Sequence, residues 1–147
     1  MTWIIVYLYK PMYSSPTFHP SSDSLRNNYH PLFDEYNVDL VLQAHNHNYQ
    51  RSYPIRYNFT NSSTPVITDF HGGKYRYPQG PIFMIIGTAG ADQYNFTGQA
   101  RYIVKQFQRF GFLNVDIVEN GTKLTGTFYD DRTGVPKDQF TVVKKWR

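Results

Sequence analysis

The sequence predicts a mixed α/β fold in which a β-α-β unit is followed by an antiparallel β-meander. Two continuous apolar runs, at 3–8 and 38–42, indicate buried parallel strands, and the segment between them carries apolar residues at helical spacing. The meander is indicated by strict alternation of apolar and polar residues on both sides of Asn120-Gly121. A chain of 147 residues with 40% hydrophobic residues is long enough to bury one core.

The β-α-β unit begins with a strand at 3–8, whose apolar and β-branched residues are typical of a strand buried on both faces. A Pro- and Ser-rich loop follows, and a helix is predicted over 23–36 with Ser21 or Ser22 as its N-cap. The second strand, at 38–42, should lie parallel to the first through a right-handed crossover. Ligands gather outside the carboxyl ends of parallel strands, so that edge of the sheet is the candidate site.

The remainder of the chain divides into irregular and strand-forming segments. A long irregular insertion is predicted at about 51–80, with one short strand near Val66 and Ile67. A further buried strand is predicted at 81–86, followed by a turn of small residues. The meander should occupy about 110–144, with a type I′ turn at Asn120-Gly121.

Composition excludes several classes of site and gives no support to others. The chain has no cysteine, so any metal must be held by nitrogen and oxygen ligands. Its 15 basic and 11 acidic residues are scattered, which indicates neither a specific nucleic-acid face nor an anionic membrane surface. No apolar run is long enough to span a membrane. Binding of single-stranded nucleic acid through the many tyrosines is the weakest alternative, because no recognition motif is present.

Four Asn-x-Ser/Thr sequons, at Asn58, Asn61, Asn95 and Asn120, would suit an exported protein, either extracellular or at the cell surface. The first 15 residues, however, have no basic residue before their short apolar stretch and no small-residue cleavage site, so they make a poor secretion signal. The sequon is a short pattern that arises readily in Asn-rich chains, so chance occurrence is the interpretation that the sequence favours.

Two histidines, His45 and His47, come directly after the second predicted strand. Residues two apart in an extended chain share a face, so both imidazoles can reach one small volume, as metal ligands must. Two ligands are too few for a stable site, and the remaining ones must come from elsewhere. The loop that carries His19 starts from the same sheet edge.

Three segments resemble, in the same order, motifs of one enzyme family. VDLVLQAHNHNYQRSYPI is similar to a V-D-L-V-[LF]-x-G-H-x-H-x-Y-[EQ]-R-[ST] motif, WIIVYLYKPMYSS to the strand and turn that precede it, and GPIFMIIGTAGA to a G-P-[VI]-x-[IV]-x-x-G-[TD]-[AG]-G motif. These motifs belong to the calcineurin-like metallophosphoesterases, specifically their purple acid phosphatase-like branch. The resemblance implies that residues 1–147 form a single partial domain, the C-terminal half of a β-sandwich flanked by helices.

The resemblance also implies a function and assigns roles to residues. It implies hydrolysis of phosphoesters at a binuclear metal centre of iron with zinc, manganese or iron. His45 matches the ligand of the second metal and His47 that of the first. His19 is the candidate general acid, with an exposed loop histidine as the alternative, and Tyr49 and Arg51 match positions expected to brace the histidine loop.

The sequence departs from the family at Tyr9 and, more mildly, at Ala44, which replaces the usual glycine before the first histidine, and it lacks the family's earlier motifs. Tyr9 stands where the family has another metal-binding histidine, and a phenol must lose a proton to bind a metal well. The family's earlier motifs, D-x-G or D-x-D, G-D-x-x-Y and G-N-H-[ED], do not occur in the sequence. We therefore expect an N-terminal half or a partner chain to complete the enzyme, and the isolated chain to be inactive. The alternative is a non-catalytic binding or surface-interaction module descended from the same fold.

A chain that is half of a sandwich should also expose apolar surface. The residues expected to be exposed are Ile5, Leu40, Val41 and Ile85, together with their neighbours. Such a surface predicts that the isolated chain associates unless a partner covers it.

Overall fold

A computed structural model describes residues 3–145 of the chain. The described part contains one helix and ten strands in the order β1 (Ile5–Tyr7), α1 (Asp23–Glu35), β2 (Leu40–Gln43), β3 (Tyr49–Arg56), β4 (Val66–Ile67), β5 (Lys74–Arg76), β6 (Ile82–Ile86), β7 (Ile103–Phe107), β8 (Gly111–Val118), β9 (Lys123–Asp130) and β10 (Pro136–Val143). The mixed α/β class predicted from the sequence is confirmed.

The first sheet has six strands in the order β1-β2-β6-β3-β4, and β7 pairs with the first half of β3 beside β4. Strands β1, β2 and β6 are parallel, with Ile5 opposite Leu40 and Leu40 opposite Ile82. Helix α1 connects β1 to β2, and its N-cap is Ser22, whose side chain accepts a hydrogen bond from the backbone N–H of Leu25 at 3.3 Å. The β-α-β unit with parallel strands is therefore as predicted.

The second sheet has four strands in the order β5-β10-β9-β8. Strands β8, β9 and β10 form the predicted antiparallel meander, and Val118 lies opposite Lys123 across its first turn. In that turn Asn120 and Gly121 have positive φ values of 55° and 82°, the left-handed backbone that a type I′ turn requires. The remaining strand, β5, pairs in parallel with β10.

Alternate residues of the central strands face two different layers, because successive side chains of a strand point to opposite faces. Ile82 and Met84 pack against residues of the second sheet such as Phe128 and Phe140. Phe83 faces the other way, into a cluster that includes Phe33 of α1. The chain thus forms three layers: a helix, the first sheet and the second sheet.

A buried ion pair joins the two sheets. Arg51 of β3 donates from Nε to Asp138 Oδ2 at 2.6 Å and from Nη2 to Asp138 Oδ1 at 3.0 Å, and the hydroxyl of Tyr49 donates to Asp138 Oδ2 at 2.8 Å. Arg51 also donates to the hydroxyl of Tyr75 and to the backbone carbonyl of Gly72. Burial opposes the charge on Arg51, but the hydrogen bond and charge of Asp138 outweigh it and raise the pKa of the guanidinium.

Strand β1 is exposed at two of its three residues. Ile5 is 37% exposed, as expected for half of a sandwich, and Tyr7 is 85% exposed, although the apolar run that contains both is typical of a strand buried on both faces. The reason is position: β1 is the edge strand, and no described residue pairs with its outer side.

The exposure predicted for Leu40, Val41 and Ile85 is wrong, because all three are buried. They lie on β2 and β6, which have strands on both sides. The prediction of an irregular segment over 51–80 was also too broad, since β3 extends to Arg56 and β5 occupies Lys74–Arg76. The short strand β4 at Val66–Ile67 lies where it was predicted. Over residues 3–145, no helix combines the length and apolar character needed to cross a bilayer.

Candidate functional site

The candidate site lies at the carboxyl end of β2. The strand ends at Gln43, and His45 follows with a positive φ of 67°, a backbone conformation that residues other than glycine rarely adopt. Such conformations cluster at functional sites, where the surrounding structure holds them in place. Tyr9 lies beside this turn because its carbonyl accepts a hydrogen bond from the backbone N–H of Ala44 at 3.1 Å.

The structure brings together His19, His45, His47 and Tyr9, the four residues that the sequence singled out at this edge. The imidazoles of His19 and His45 are stacked with their ring centroids 3.7 Å apart, and the phenol ring of Tyr9 lies 4.9 Å from that of His45. His47 is stacked on Tyr94 with a centroid separation of 4.2 Å.

Asn46, the residue between the two histidines, fixes the position of the His19 loop. Its side chain is fully buried; Oδ1 accepts the backbone N–H of His19 at 2.9 Å, and Nδ2 donates to the carbonyl of His19 at 2.9 Å. Nδ2 also donates to Ser14 Oγ at 3.0 Å. One amide therefore binds both backbone groups of His19 and holds that loop against the histidine turn. Sequence reasoning missed Asn46, and the available signal was its polar side chain at the end of a buried strand.

The tautomer of His47 is set by a backbone carbonyl. Nδ1 lies 2.8 Å from the carbonyl oxygen of Asp92. A carbonyl can only accept, so Nδ1 carries the proton and Nε2 of the neutral ring presents its lone pair. A hydrogen bond of this kind orients metal-binding histidines in proteins.

The lowered pKa of His45 also favours metal binding. Partial burial lowers the pKa of His45, and the neighbouring charges of His19, Lys10 and His47 lower it further. The lowered pKa favours the neutral imidazole, which is the form that binds metals.

Gly87 allows the turn after β6 to pack directly against the histidine turn. A Cβ at this position would lie 2.1 Å from the carbonyl oxygen of Asn46 and 3.0 Å from Cα of His47. No side chain fits there, which accounts for the small residue at the start of this turn. Gly87 also donates its N–H to the carbonyl of Asn48 at 3.2 Å.

Tyr49 and Arg51 follow the histidine turn in β3, but their side chains point into the contact between the two sheets, where both bind Asp138. They therefore anchor β3, the strand that begins where the histidine turn ends. Tyr94, which was not singled out from the sequence, contacts the site directly through its ring. Nothing in the sequence around Tyr94 distinguishes it from the other tyrosines.

Comparisons with known proteins point to one family. No protein-family model matches the chain. It is 31% identical over 159 residues to mouse acid phosphatase type 7, an alignment that covers 97% of this chain and 34% of the mouse protein. It is 28% identical over 141 residues to soybean purple acid phosphatase, covering 90% of this chain and 28% of that protein. The chain belongs to the purple acid phosphatase-like branch of the metallophosphoesterases.

Solved structures agree on the fold of this purple acid phosphatase-like chain. The structure of a yellow lupin purple acid phosphatase matches 99% of the chain with a TM-score of 0.81 at 22% identity, over 25% of the lupin protein. GAP50, described as the anchor in the inner membrane complex of Plasmodium, matches 99% of the chain with a TM-score of 0.72 at 19% identity, over 38% of that protein. The chain spans only 18% to 35% of the length of the curated relatives it matches.

The purple acid phosphatase family implies a binuclear metal centre, and the described residues fit only part of one. Among residues 3–145, no three His, Cys, Asp or Glu side chains are grouped so that they could hold a metal ion. The imidazoles of His45 and His47 have the right chemistry for borderline metals, and Nε2 of His47 has its lone pair available. Two such ligands are too few for a stable metal site.

Proposed function

We propose that this chain is part of a metal-dependent phosphoesterase, to whose binuclear centre it supplies His45 and His47. The observation that carries the proposal is the stacking of His19 on His45, two residues before His47 at the same sheet edge, in a chain related to phosphatases. Residues 1–147 would form part of a single metallophosphoesterase domain. The remaining ligands would come from an N-terminal half or a partner chain, which fits the small share of the relatives that the chain covers.

The residues of this chain would bind the metals and position the substrate. When bound, two metals polarise the phosphoryl group and lower the pKa of a bound water. We propose iron with zinc, manganese or iron as the pair. His47 would bind one metal through Nε2, with Nδ1 held by the carbonyl of Asp92. His45 would bind the second metal, and Tyr49 and Arg51 would support the histidine turn by anchoring β3.

His19 is the proposed general acid. Its backbone is fixed on both sides by Asn46, and its ring is stacked on that of His45, so it stands next to the proposed metal ligands. From there it can donate a proton to the leaving-group oxygen of a phosphoester. Tyr9 would bind a metal only as a phenolate, and the ordinary pKa of a phenol is about 10, so its contribution is the weakest of the set.

The test compares the 147-residue chain with the longest natural form of the protein that contains it. Both are loaded with iron, zinc or manganese, bound metal is measured by elemental analysis, and hydrolysis of p-nitrophenyl phosphate is followed. The longer form should bind two metals and turn over, whereas the 147 residues alone should hydrolyse little. His47→Ala in the longer form should lower kcat/KM by at least about 100-fold, since loss of even an outer supporting contact typically costs 10- to 100-fold.

His71→Ala is the matched control, because His71 is 81% exposed and pairs with Asp69 in the loop before β5. It should leave kcat/KM unchanged. Full metal occupancy and fast turnover by the 147 residues alone would overturn the proposal, and so would an unimpaired His47→Ala variant.

A second candidate is a non-catalytic binding module. It is favoured by Tyr9, an exposed phenol beside His45 where the family has a histidine, and by the likeness in fold to an anchor protein. This function predicts no stoichiometric metal in any form of the protein, and partner binding that survives the double substitution His45→Ala and His47→Ala.

A further inference from the structure

The four sequons lie in the connecting loops and turns of the described chain. The sequence contains ten asparagines, and four of them begin an Asn-x-Ser/Thr sequon. Asn58 and Asn61 lie between β3 and β4, Asn95 between β6 and β7, and Asn120 in the turn between β8 and β9. None of the four is buried; of the six asparagines without a sequon, two are fully buried (Asn46 and Asn48) and four are exposed. This placement is what attachment of a bulky glycan requires.

The side-chain amide of Asn61 is hydrogen-bonded to Ser63, the hydroxyl residue of the same sequon. Its Oδ1 accepts from Ser63 Oγ at 2.7 Å and from the backbone N–H of Ser63 at 3.1 Å. Because Oδ1 faces Ser63, Nδ2 lies on the other side of the amide group, on a side chain that is exposed. A sugar on Nδ2 would leave both hydrogen bonds intact, since Oδ1 makes them.

Asn120 is an exposed residue of the turn between β8 and β9. The hydroxyl residue of its sequon is Thr122, whose hydroxyl donates a hydrogen bond to the carbonyl of Glu119 at 2.7 Å. The turn lies at the amino end of β1, because Trp3 Nε1 donates to the carbonyl of Gly121 at 2.8 Å. The histidines lie at the opposite, carboxyl end of the parallel strands, so a glycan on Asn120 would leave that site open.

Both asparagines have exposed apolar neighbours that a glycan would cover. Phe59, two residues before Asn61, is 85% exposed, and Ile117 and Val118, just before Asn120, are 49% and 42% exposed. Exposed apolar patches favour association, and a covalently attached, solubilising glycan opposes it. The sequons therefore stand where glycans would have a physical effect.

We propose that Asn61 and Asn120 carry N-linked glycans. The donor would be a lipid-pyrophosphate-linked oligosaccharide. Nδ2 of each asparagine forms a bond to C1 of the first sugar, the bond from C1 to the pyrophosphate oxygen breaks, the lipid pyrophosphate leaves, and the amide gives up one proton. The chain therefore passes through the compartment in which such oligosaccharides are transferred. The exposed amide of Asn61, the exposed turn of Asn120 and the apolar side chains beside both are the observations that favour glycosylation over chance occurrence.

Asn95 is left out of the proposal because of its surroundings. Its carbonyl accepts from Thr17 Oγ1 at 2.8 Å, and the preceding residue, Tyr94, is stacked on His47. A glycan at Asn95 would stand beside the candidate site.

The experiment uses the protein isolated from the cells that produce it. An endoglycosidase that leaves one N-acetylglucosamine on the asparagine is applied, and the peptides are measured by mass spectrometry. The retained sugar is the readout, because an Asn-Gly pair such as Asn120-Gly121 also deamidates spontaneously and would imitate removal of a whole glycan. A single N-acetylglucosamine on both Asn61 and Asn120 is expected. Unmodified asparagine at both positions would overturn the proposal, and unmodified asparagine at one position would overturn it for that site.

Paired variants made in the same cells separate the sequon from the fold. Ser63→Ala and Thr122→Ala remove one sequon each, whereas Ser63→Thr and Thr122→Ser preserve it. Each alanine variant should lose the sugar at its own site and sediment with a larger associated fraction than its sequon-preserving partner. Retention of the sugar in an alanine variant, or equal association in the two members of a pair, would contradict the proposal.

Discussion

Replacing Asp138 by alanine should destabilise the chain by about 3 to 5 kcal/mol, because it leaves a buried guanidinium without its carboxylate. The Asp138 side chain is 3% exposed and that of its partner Arg51 is fully buried. Asp138 accepts three hydrogen bonds, two from Arg51 and one from Tyr49. No other contact described between the two sheets concentrates as much buried charge.

The magnitude follows from these contacts. Hydrogen bonds to a charged group contribute about 1.5 to 3 kcal/mol each, but they are not additive within one network. Arg51 would keep its bonds to Tyr75 and Gly72, which limits the loss. The expected change is a large fraction of a typical domain stability of about 5 to 15 kcal/mol.

The assay is urea unfolding of the 147-residue chain, with the free energy of unfolding and the m value fitted together. Asp138→Asn keeps the shape of the side chain and should lose about 1.5 to 3 kcal/mol, which keeps the test informative if the alanine variant does not fold. Replacing the pair together, as Arg51→Met with Asp138→Leu, should recover most of the loss. Asp116→Ala, at an exposed position on β8, is the control and should change stability by less than about 0.5 kcal/mol. A loss below about 1 kcal/mol in Asp138→Ala, with an unchanged m value, would refute the reasoning.

Gly87→Ala should destabilise the folded chain by about 1 to 3 kcal/mol and shift the NMR signals of His47, because the added Cβ would overlap the backbone of the histidine turn. Gly72→Ala is the control and should have neither effect, because a Cβ at Gly72 has no atom within 4 Å. Hydrogen bonds from the hydroxyl and backbone N–H of Thr133 lower the pKa of Asp130. A carboxyl whose pKa is lowered by folding stabilises the native state above its unfolded pKa of about 3.9, and loses that effect as the pH falls through the folded pKa. The stability difference between the wild type and Thr133→Ala should therefore be fully present at about pH 6 and shrink on acidification to about pH 2, and a gap that widened in acid urea titrations would contradict this account.

The sequence predicted β2 and β6, the strands whose own residues show that both faces are buried. The runs that became β2 and β6 are apolar throughout, because both faces of these strands are covered. β3 was not recognised, because buried Arg51 reads as a surface residue until Asp138, 87 positions later, is placed beside it. The apolar run of β1 does not by itself reveal whether another strand lies next to it, and the exposure of Ile5 was expected only because the resemblance makes the chain half of a sandwich.

For the candidate site, the sequence predicted the functional groups but not the contacts that hold them. His45 and His47 were identified from their spacing and position after a strand, and His19 from the loop at the same edge. What holds them could not be predicted, because the bonds from Asn46 to His19 and from Asp92 to His47 join segments 27 and 45 residues apart. Local spacing identifies the groups, and only the folded chain determines their contacts.

The side chain of Asn46 has a consequence for binding entropy. Since one buried amide holds both the N–H and the carbonyl of His19, the loop and the histidine turn cannot fluctuate independently. The conformational entropy of bringing these imidazoles together is therefore lost when the chain folds, and a ligand that engages them does not have to order them again.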